Sequence, residues 1–482
     1  MDERWPIAWT IAGSDSGGGA GIQADLKTFN ALEVHGCTIL TAITAQNTGN
    51  VDRSDILAAD LVEAQIRCLA KDLPPDAIKI GMVGIMGNIL AIVRYLKNSD
   101  APVVCDPVMG ASSGRGLMDP SAVEALRNKL MPQLWMITPN IKEAEILARM
   151  TNLGPETIPE AAKRILSYGP ASVLIKGGHI EGEWARDYFT DGENELWLSS
   201  PRADTRNDHG TGCILSSAIA ACLARNPDAG EALVTAKAFV NQALRHSLDL
   251  GQGAGPLGIR PFPEDSCDLP LLTTRYDHRS PQFPTMEAAE CDLYPVVDSA
   301  EWVERLLAEG VQMIQLRMKN RADADRDAEV LAAVSAGRTC DARVFINDDW
   351  ELALKHGAYG VHLGQDDLAH ADLKALAAAG MRLGLSTHSL YEIARARSFN
   401  PSYIAIGTVH QTSSKTMDYE PLGIDRFRML RTLVDIPVVA IGGITAENAP
   451  ELRASGADYC AVISDIRETP DLSARVQAWR KA

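Results

Sequence analysis

The stretch Ile7-Ala-Trp-Thr-Ile-Ala-Gly-Ser-Asp-Ser-Gly-Gly-Gly-Ala-Gly21 begins as an apolar run and continues into a glycine-rich loop. The apolar run, Ile7–Ala12, predicts a buried strand, and the residues from about Gly19 to Val34 predict the helix that follows it. Strand-like runs then alternate with helical segments through the first half of the chain, at Cys37–Ile43, Ala77–Ile80, Val103–Val108, Trp135–Thr138 and Ser172–Lys176. We therefore predict an α/β domain with an open, mostly parallel sheet and helices on both faces.

The end of this half departs from the alternation. Asp187–Thr190 and Glu195–Leu198 flank Asp191-Gly192 and predict a β-hairpin. Two helices are predicted between Thr211 and His246. Residues 251–290 are then rich in Gly, Pro, Asp, Ser and Arg and have no periodicity, which predicts a linker. We predict a first domain over 1–260, a linker over 261–290 and a second domain over 291–482.

A second alternation begins at Leu293. Eight strand-like runs are each followed by a helical segment: Leu293–Val297, Met313–Arg317, Val344–Asn347, Gly360–Leu363, Leu383–Ser386, Tyr403–Gly407, Val438–Gly442 and Tyr459–Ser464. Eight strand–helix units in this short length predict a small TIM (β/α)8 barrel.

Composition limits the kinds of partner. The chain has 46 basic and 63 acidic residues, a net charge of −17, which disfavours binding to nucleic acid or membrane surfaces but permits local phosphate sites. We find no apolar run long enough to span a bilayer, no signal-peptide core and no CxxC pair among nine cysteines. We expect a soluble, cytoplasmic protein that acts on small molecules.

Polar residues collect at the carboxyl ends of the barrel strands, where barrels of this type place their sites. Asp348 and Asp367 offer oxygen ligands for Mg²⁺, and Gly442-Gly443 allows backbone N–H groups to approach a phosphate. Cations suited to phosphate oxygens are also present there: Arg317, Lys319 and Lys415. Each feature alone is common in turns and solvated loops, and the histidines His362, His388 and His410 are expected to pack rather than bind metal. The shared position of the carboxylates, glycines and cations at one end of the barrel predicts a site for a multiply charged anion with a divalent cation.

These residues resemble the thiamine phosphate synthase family from residue 293 to about residue 480. The resemblance is carried by Gln315-x-Arg317-x-Lys319, Asn347-Asp348, His362-x-Gly364-Gln365-x-Asp367, the loop ending in Lys415, Ala440-Ile-Gly-Gly-Ile444 and Val462-Ile-Ser464. It implies an Mg²⁺-dependent transferase that joins a pyrimidine methyl diphosphate to a thiazole phosphate and releases pyrophosphate.

The resemblance also implies roles for single residues. The diphosphate would be held by Gln315, Arg317, Lys319, Asn347 and Lys415, of which Arg317 and Lys415 would be catalytic, and Mg²⁺ by Asp348 and Asp367. The thiazole phosphate would be bound by Gly443, Ile463 and Ser464. Three further residues would lie along the substrates: Ser386, Thr412 and Ser414. The chain departs from the family at His410-Gln411, where relatives usually carry an aromatic residue and a proline, so we expect a less rigid loop.

Two loops of the first half could hold phosphate. The loop Ala12–Gly21 follows a strand and opens a helix, but it lacks the GxxxxGK[ST] pattern of a P-loop. The loop His209-Gly-Thr-Gly-Cys213 opens a later helix, where glycines would expose backbone N–H groups at the positive helix end. A simple turn is the alternative explanation of the second loop.

With other motifs, these loops resemble the ribokinase-like hydroxymethylpyrimidine/phosphomethylpyrimidine kinase family, from about residue 6 to residue 260. The matching stretches are Ala12–Asp25, Thr44-Ala-Gln46-Asn-Thr48, Lys79-Ile-Gly-Met82, Asp106-Pro-Val-Met109, Thr138-Pro-Asn140-x-x-Glu143, Lys176-Gly-Gly-His179 and His209–Cys213. The resemblance implies two successive phosphorylations with ATP as co-substrate, first of a hydroxymethyl group and then of its monophosphate.

By this resemblance the pyrimidine pocket would be lined by Asp25, Gln46, Met82 and Val108. ATP, phosphate and Mg²⁺ would be met by Asn140, Glu143, Lys176, Gly210 and Gly212, with Lys176 catalytic. Cys213 stands where ribokinase relatives usually place an aspartate base. Because a thiol at a helix N-terminus has a lowered pKa, we predict Cys213 as the base.

Other functions are open at this point. A pyridoxal-type vitamin kinase is the same-fold alternative for the first half, and Cys213 with Gln46 argues against it. A thiazole tautomerase is the alternative for the barrel, although such an enzyme has no diphosphate to ionise. A non-catalytic sensor of thiamine precursors is disfavoured by intact ionic residues in both sites. We expect a homodimer.

Overall fold

The computed structural model describes residues 4–110, 118–178, 180–277, 279–286, 292–319, 322–412 and 420–481. The chain divides into two compact units, Met1–His278 and Arg279–Ala482. Within the described ranges, no helix is both long enough and apolar enough to cross a membrane.

The described part of the first unit contains a ten-stranded sheet. Its strands are β1 (Ile7–Asp15), β2 (His35–Gln46), β3 (Val51–Ile56), β4 (Ala77–Ile80), β5 (Val103–Cys105), β6 (Met136–Ile137), β7 (Val173–Ile175), β8 (Trp184–Thr190), β9 (Glu195–Pro201) and β10 (Leu271–Thr273). They lie in the order β10-β9-β8-β7-β6-β5-β4-β1-β2-β3. The six strands from β7 to β2 pair in parallel, whereas β3 and β8–β10 pair antiparallel. The predicted open, mostly parallel sheet and the hairpin are confirmed.

Helices cover this sheet. They are α1 (Gly21–Ala31), α2 (Ala59–Asp72), α3 (Met86–Leu96), α4 (Pro120–Ala125), α5 (Ile141–Ala148), α6 (Ile158–Leu166), α7 (Thr211–Arg225) and α8 (Ala229–Arg245). Helix α7 packs against α1 and α8, and α3 packs against α2 and α4. The buried faces of these helices and the apolar strands form the core, which includes Trp9, Ile39 and Ile92. Because the strands from β7 to β2 pair in parallel, their carboxyl ends lie at one edge of the sheet.

Part of the predicted linker belongs to the first unit. Residues Ser266–Asp268 form a 3₁₀ turn, and β10 pairs with β9. The turn is anchored by Arg245, whose guanidinium donates to both oxygens of the buried Asp268 at 2.8 and 2.7 Å. The prediction of a linker beginning at 261 is corrected accordingly, because one buried ion pair and a three-residue ladder hold this segment without any periodic sequence pattern.

The second unit is a closed barrel of parallel strands in sequence order, which confirms the predicted TIM barrel. Its strands are β11 (Leu293–Val297), β12 (Met313–Leu316), β13 (Arg343–Asn347), β14 (Gly360–Leu363), β15 (Arg382–Thr387), β16 (Tyr403–Gly407), β17 (Val438–Ile441) and β18 (Tyr459–Val462). Its helices are α9 (Ala300–Ala308), α10 (Asp323–Thr339), α11 (Trp350–His356), α12 (Leu373–Ala378), α13 (Leu390–Arg397), α14 (Gly423–Thr432), α15 (Ala449–Ala454), α16 (Ser464–Arg467) and α17 (Leu472–Lys481).

The end of the predicted linker packs on the barrel. Asn400 donates from Nδ2 to the carbonyl of Ser280 at 3.3 Å, and Ser402 donates from Oγ to the carbonyl of Pro284 at 2.6 Å. Met286 is buried in the barrel core beside Tyr294 and other strand residues. Residues 280–286 are therefore part of the second unit and not a free connection.

Candidate active sites

The glycine-rich loop of the first unit is organised around Asp15, the last residue of β1. Its carboxylate accepts the backbone N–H groups of Gly17 (2.8 Å), Gly19 (3.0 Å) and Ala20 (2.8 Å). His209 Nε2 lies 3.1 Å from Asp15 Oδ2. Burial alone would raise the pKa of Asp15, but the His209 hydrogen bond and the backbone donors outweigh burial and lower it. One ionised carboxylate thus holds the loop before α1 beside the loop before α7.

Three of the four predicted pyrimidine residues lie at the carboxyl edge of the sheet. Gln46 ends β2, Met82 follows β4 and Val108 follows β5, and these parallel strands are close together in the sheet order. Gln46 Nε2 lies 3.2 Å from His209 Nε2. The backbone carbonyl of Met82 accepts a hydrogen bond from Thr41 Oγ1. These contacts fix the Gln46 side chain and the Met82 backbone at this edge of the sheet.

The fourth predicted residue, Asp25, is fully buried. Its carboxylate accepts hydrogen bonds from Thr10 Oγ1 (2.5 Å), Ser217 Oγ (2.7 Å) and Lys79 Nζ (2.7 and 2.9 Å). Burial alone would lower the pKa of Lys79, but the charge of Asp25 outweighs it and raises that pKa. The Asp25 carboxylate is thus fully buried and hydrogen-bonded by the chain's own donors, and its role in the pyrimidine pocket stays a prediction.

The predicted phosphate residues meet around a second ion pair. Lys176 Nζ lies 2.5 Å from Asp106 Oδ1, and Lys176 pairs by a backbone bridge with Asn140. Burial alone would lower the pKa of Lys176, but the charges of Asp106 and Glu143 raise it. The ammonium group stays charged and faces the start of α7, where Gly210 adopts a left-handed conformation with φ 88°.

Asn140 and Glu143 form a capping box at the start of α5. Asn140 Oδ1 accepts the backbone N–H of Glu143 at 3.0 Å, and Glu143 Oε2 accepts the backbone N–H of Asn140 at 2.8 Å. Burial and the charge of Asp106 raise the pKa of Glu143 to about 7, although Lys176 opposes the shift. Capping of helix α5 is by itself a sufficient explanation of both side chains. Their role toward Mg²⁺ and phosphate stays a prediction.

The prediction of a lowered pKa for Cys213 is wrong. The thiol lies in the first turn of α7, but burial raises its pKa to about 11. Lys79 opposes this shift, whereas the charges of Asp25 and Asp106 add to it. Desolvation of the thiolate thus exceeds the effect of the helix N-terminus, so Cys213 is a neutral thiol at physiological pH.

Four residues central to this geometry received no role from the sequence: Asp15, Lys79, Asp106 and His209. Each lies in a motif that the sequence analysis quotes, Asp15 and Asp106 close to the ends of strands, His209 just before a helix and Lys79 inside β4. A polar residue at the end of a buried strand is the signal that could have identified Asp15 and Asp106.

In the barrel, the predicted metal ligands Asp348 and Asp367 lie together. Asp348 follows β13 with φ 62°, and its backbone N–H donates to the carbonyl of His362 at 3.0 Å. Desolvation and the neighbouring charge of Asp367 raise the pKa of Asp348 to about 6, although Arg317 opposes the shift. The described residues contain no group of three or more His, Cys, Asp or Glu suited to a metal. Two carboxylates are nevertheless the usual protein share of an Mg²⁺ site that phosphates complete.

Four of the five predicted diphosphate residues, all but Lys415, lie at the same barrel end. Gln315 and Asn347 are buried, Arg317 is half-buried and Lys319 is exposed. Gln315 donates from Nε2 to the hydroxyl of Tyr294 at 3.1 Å, so its amide is fixed within the barrel. Arg317 supplies a positive charge close to Asp348. A site that binds an anion together with a cation needs such a charge.

The loops after β16 and β17 touch at the predicted thiazole phosphate site. A Cβ on Gly442 would lie 2.4 Å from Thr408 Cβ, and one on Gly443 would lie 2.4 Å from the carbonyl oxygen of Gln411. Both glycines have positive φ, 103° and 63°. The divergent His410 donates its backbone N–H to the carbonyl of Gly442 at 3.1 Å, so this pair of loops remains closely packed.

The remaining predicted barrel residues are placed as follows. Ser386, on β15, has its Oγ 2.8 Å from His362 Nε2. Ile463 follows β18 and precedes Ser464, the first residue of α16, and Thr412 ends the described part of its loop. Ser414 and Lys415 lie outside the described residues.

Comparison with known proteins agrees with this division. The family "Phosphomethylpyrimidine kinase" matches residues 15–258, and "Thiamine monophosphate synthase" matches residues 292–466. The probable thiamine biosynthetic bifunctional enzyme, chloroplastic, of Oryza sativa subsp. japonica is 34% identical over 98% of this chain and 88% of its own length.

The chain belongs to the family of bifunctional thiamine biosynthetic enzymes. Its kinase unit is 47% identical to the hydroxymethylpyrimidine/phosphomethylpyrimidine kinase of Rhizobium meliloti, over 52% of this chain and 96% of that protein. An ADP complex of Bacillus subtilis pyridoxal kinase matches the same unit with a TM-score of 0.50 and 38% identity, over 53% of this chain and 98% of that one. The first unit of this bifunctional enzyme therefore has the ribokinase-like kinase fold.

Proposed function

We propose that the kinase unit uses ATP to phosphorylate 4-amino-5-hydroxymethyl-2-methylpyrimidine and then its monophosphate. The barrel then condenses the resulting diphosphate with 4-methyl-5-(2-phosphoethyl)thiazole to give thiamine phosphate and pyrophosphate. Family membership over nearly the whole chain is the observation that carries this proposal. The product of the first unit would be the substrate of the second.

Phosphoryl transfer depends mainly on positioning and charge neutralisation. Lys176 supplies a buried positive charge, and Gly210 and Gly212 open α7, whose first N–H groups suit an anion. The ADP bound in the structurally similar pyridoxal kinase supports ATP as the phosphoryl donor. Since Cys213 is protonated, we assign it to the wall of the pocket beside the substrate hydroxyl, without a thiolate.

The barrel residues fit a divalent cation. Burial, together with the charge of Asp367, raises the pKa of Asp348 to about 6, and a bound Mg²⁺ would favour the ionised form of both carboxylates. These two carboxylates would hold the ion, which supplies charge neutralisation at the diphosphate. In the kinase unit, Asp106 and Glu143 lie beside Lys176, and we propose them for the ATP-bound ion.

In the synthase step, Arg317, Lys319 and Lys415 neutralise charge on the leaving pyrophosphate. The bond between the pyrimidine methylene carbon and the diphosphate oxygen breaks, and its electron pair leaves with pyrophosphate. The thiazole nitrogen then donates its lone pair to the methylene carbon from a fixed position. A protein nucleophile is not required.

The direct test is one reaction mixture that contains the protein, hydroxymethylpyrimidine, ATP, Mg²⁺ and thiazole phosphate. Thiamine phosphate should form. Failure to form it, with the pyrimidine monophosphate and diphosphate also inert when supplied separately, would disprove the proposal. Lys415→Ala should accumulate the pyrimidine diphosphate while ADP formation continues as in the wild type.

Pyridoxal phosphorylation is a second candidate activity of the kinase unit, favoured by its similarity to a pyridoxal kinase. The identity to the pyrimidine kinase is higher, 47% against 38%, so we expect pyridoxal to be the poorer substrate. Comparison of kcat/KM for the two substrates decides between them. A homodimer and a cytoplasmic location stay predictions, which sedimentation and cell fractionation would test.

A further inference from the structure

A continuous chain of side-chain hydrogen bonds crosses the barrel interior. Tyr294 Oη accepts a hydrogen bond from Gln315 Nε2 at 3.1 Å and lies 2.9 Å from Tyr403 Oη. Tyr403 Oη lies 2.7 Å from His362 Nδ1, and His362 Nε2 lies 2.8 Å from Ser386 Oγ. This chain of hydrogen bonds connects Gln315 and Ser386, which the resemblance to the synthase family places beside substrate, through three residues to which the resemblance gives no role.

The two tyrosines occupy positions that barrels usually fill with branched apolar side chains. Tyr294 and Tyr403 are nearly inaccessible to solvent and pack edge-to-face on Phe345. The neighbouring strand β15 has a glycine, Gly384, beside the Tyr403 ring. A Cβ at Gly384 would lie 2.1 Å from Tyr403 Cζ, so a larger residue there would clash with the ring. Room for the Tyr403 ring is therefore built into the neighbouring strand.

Gln315 donates to Tyr294 at one end, and the remaining bonds can run in either of two directions, because hydroxyls and a neutral imidazole both donate and accept. In the first direction Tyr294 gives its own proton to Tyr403. Tyr403 then donates its own proton to His362 Nδ1, which must be an acceptor. The neutral imidazole consequently carries its proton on Nε2 and donates it to Ser386 Oγ. Ser386 keeps its hydroxyl proton, which it can give only to a further acceptor.

We propose that Tyr294, Tyr403 and His362 are positioning residues that hold Ser386 Oγ as a hydrogen-bond donor toward a phosphate oxygen of bound substrate. The inference rests on the proposed synthase function of the barrel. In the opposite direction Ser386 would donate to His362 and would offer only lone pairs, which repel an anion. The oxygen could belong to the pyrimidine diphosphate or to the thiazole phosphate, and separate KM values for the two substrates distinguish these.

The first test compares Tyr403→Phe, Ser386→Ala and the double variant with the wild type. Each single change should lower synthase kcat/KM about 10- to 100-fold, the usual range for a hydrogen bond to a charged group. The double variant should be no worse than Ser386→Ala, because Tyr403 acts through that hydroxyl. Losses that multiply would overturn the proposal. The substrate whose KM rises in both single variants is the one that Ser386 meets.

Tyr359→Phe is the matched control. The Tyr359 ring packs on the same Phe345, but within the described part of the chain its buried hydroxyl has no hydrogen-bond partner. This variant should keep wild-type synthase activity. Equal losses of activity in Tyr359→Phe and Tyr403→Phe would show that Tyr403 contributes only packing, and not a hydrogen bond. Kinase activity of each preparation should stay unchanged.

The second test reads the imidazole directly. Nitrogen-15 NMR of histidine-labelled protein, with His362→Gln used for assignment, should show the His362 proton on Nε2 in the wild type and a redistribution in Tyr403→Phe. A proton on Nδ1 in the wild type would disprove the stated direction. Since this measurement needs no turnover, it tests the direction of the hydrogen bonds even if the wild type makes no thiamine phosphate. Absence of that product would count against the proposed function instead.

Discussion

Lys237 Nζ lies 2.7 Å from Asp187 Oδ2, and both side chains are nearly buried, with 7% and 6% of their surface exposed. The second oxygen of Asp187 accepts the backbone N–H of Gly177 at 2.9 Å. Gly177 directly follows Lys176, and a Cβ there would lie 1.9 Å from the carbonyl oxygen of Arg186. An ion pair between β8 and α8 thus fixes the loop that carries the proposed phosphate-binding lysine.

Lys237→Met should destabilise the kinase unit by roughly 3–5 kcal/mol, because it leaves the Asp187 carboxylate buried without a counter-charge. Kinase activity should fall as well, since Gly177 and Lys176 lose their support. Urea denaturation followed by kinase activity measures both effects. Arg206→Met removes the exposed Arg206–Asp249 pair and should leave the transition unchanged. Equal shifts in the two variants would contradict a special role for the buried pair.

Gly212→Ala should lower kinase kcat roughly 100-fold, the size of loss that a misplacement of about 1 Å can cause. The added Cβ would lie 2.9 Å from Lys176 Nζ and 3.0 Å from Asp106 Oδ2, so the ion pair must move. Steady-state ADP release measures the effect, and synthase activity serves as an internal reference. Gly154→Ala is the control, because a Cβ there meets nothing within 4 Å. Normal turnover in Gly212→Ala would show that the ion pair tolerates displacement.

Cys213→Ala should keep kinase kcat within about tenfold of the wild type, whereas loss of a general base usually costs 10²–10⁴-fold. With a pKa of about 11, Cys213 has only about one thiolate in 10⁴ molecules at pH 7. Single-turnover phosphorylation of the pyrimidine at several pH values is the measurement. Cys222→Ala, in the same helix α7, controls for loss of a buried thiol. A 100-fold loss confined to Cys213→Ala would restore the base assignment.

Asp348→Asn should raise the melting temperature of the barrel at pH 7 to 8 while abolishing most synthase activity. The folded-state pKa of about 6 exceeds the ordinary value of 3.8, so ionisation disfavours folding as pH rises through this window. The amide removes that cost, and asparagine tolerates the positive φ of this position. The advantage should disappear below about pH 4, where the wild-type carboxyl is protonated in both states.

The same variant tests the proposed cation. Thermal stabilisation of the wild-type barrel by Mg²⁺ should grow as pH rises through about 6 and should be lost in Asp348→Asn. Asp366→Asn, which changes an exposed neighbour of Asp367, should behave as the wild type. Mg²⁺ stabilisation that persists in Asp348→Asn would place the ion elsewhere.

Much of the fold could be predicted because long apolar runs become buried strands in both units. Gly360–Leu363 and Tyr403–Gly407 have the predicted bounds. Strand β3 was not predicted, since Val51–Ile56 is largely polar and exposed and forms only by pairing with the outer side of β2. Strand β10 has three residues and depends on an ion pair formed across the chain, which no local pattern contains.

The sequence could predict which site residues lie close together, but not the burial, ion pairing or pKa of each side chain. Asp348 and Asp367 were placed together because parallel strands end at one rim of a barrel. The burial of Asp25, the pairing of Lys176 with Asp106 and the raised pKa of Cys213 depend on which distant side chains surround each group. Helix position suggested an ionised thiol, and desolvation, which is set by the whole fold, outweighed it.

Strand β10 forms the edge of the ten-stranded sheet beside β9. A polypeptide ended at residue 260 would expose the N–H and C=O groups of β9 to strand addition by other molecules, and would deprive Arg245 of its partner Asp268. A kinase fragment ended at residue 278 would keep both. We therefore expect a kinase fragment that ends at residue 278 to stay dispersed in solution and one that ends at residue 260 to aggregate.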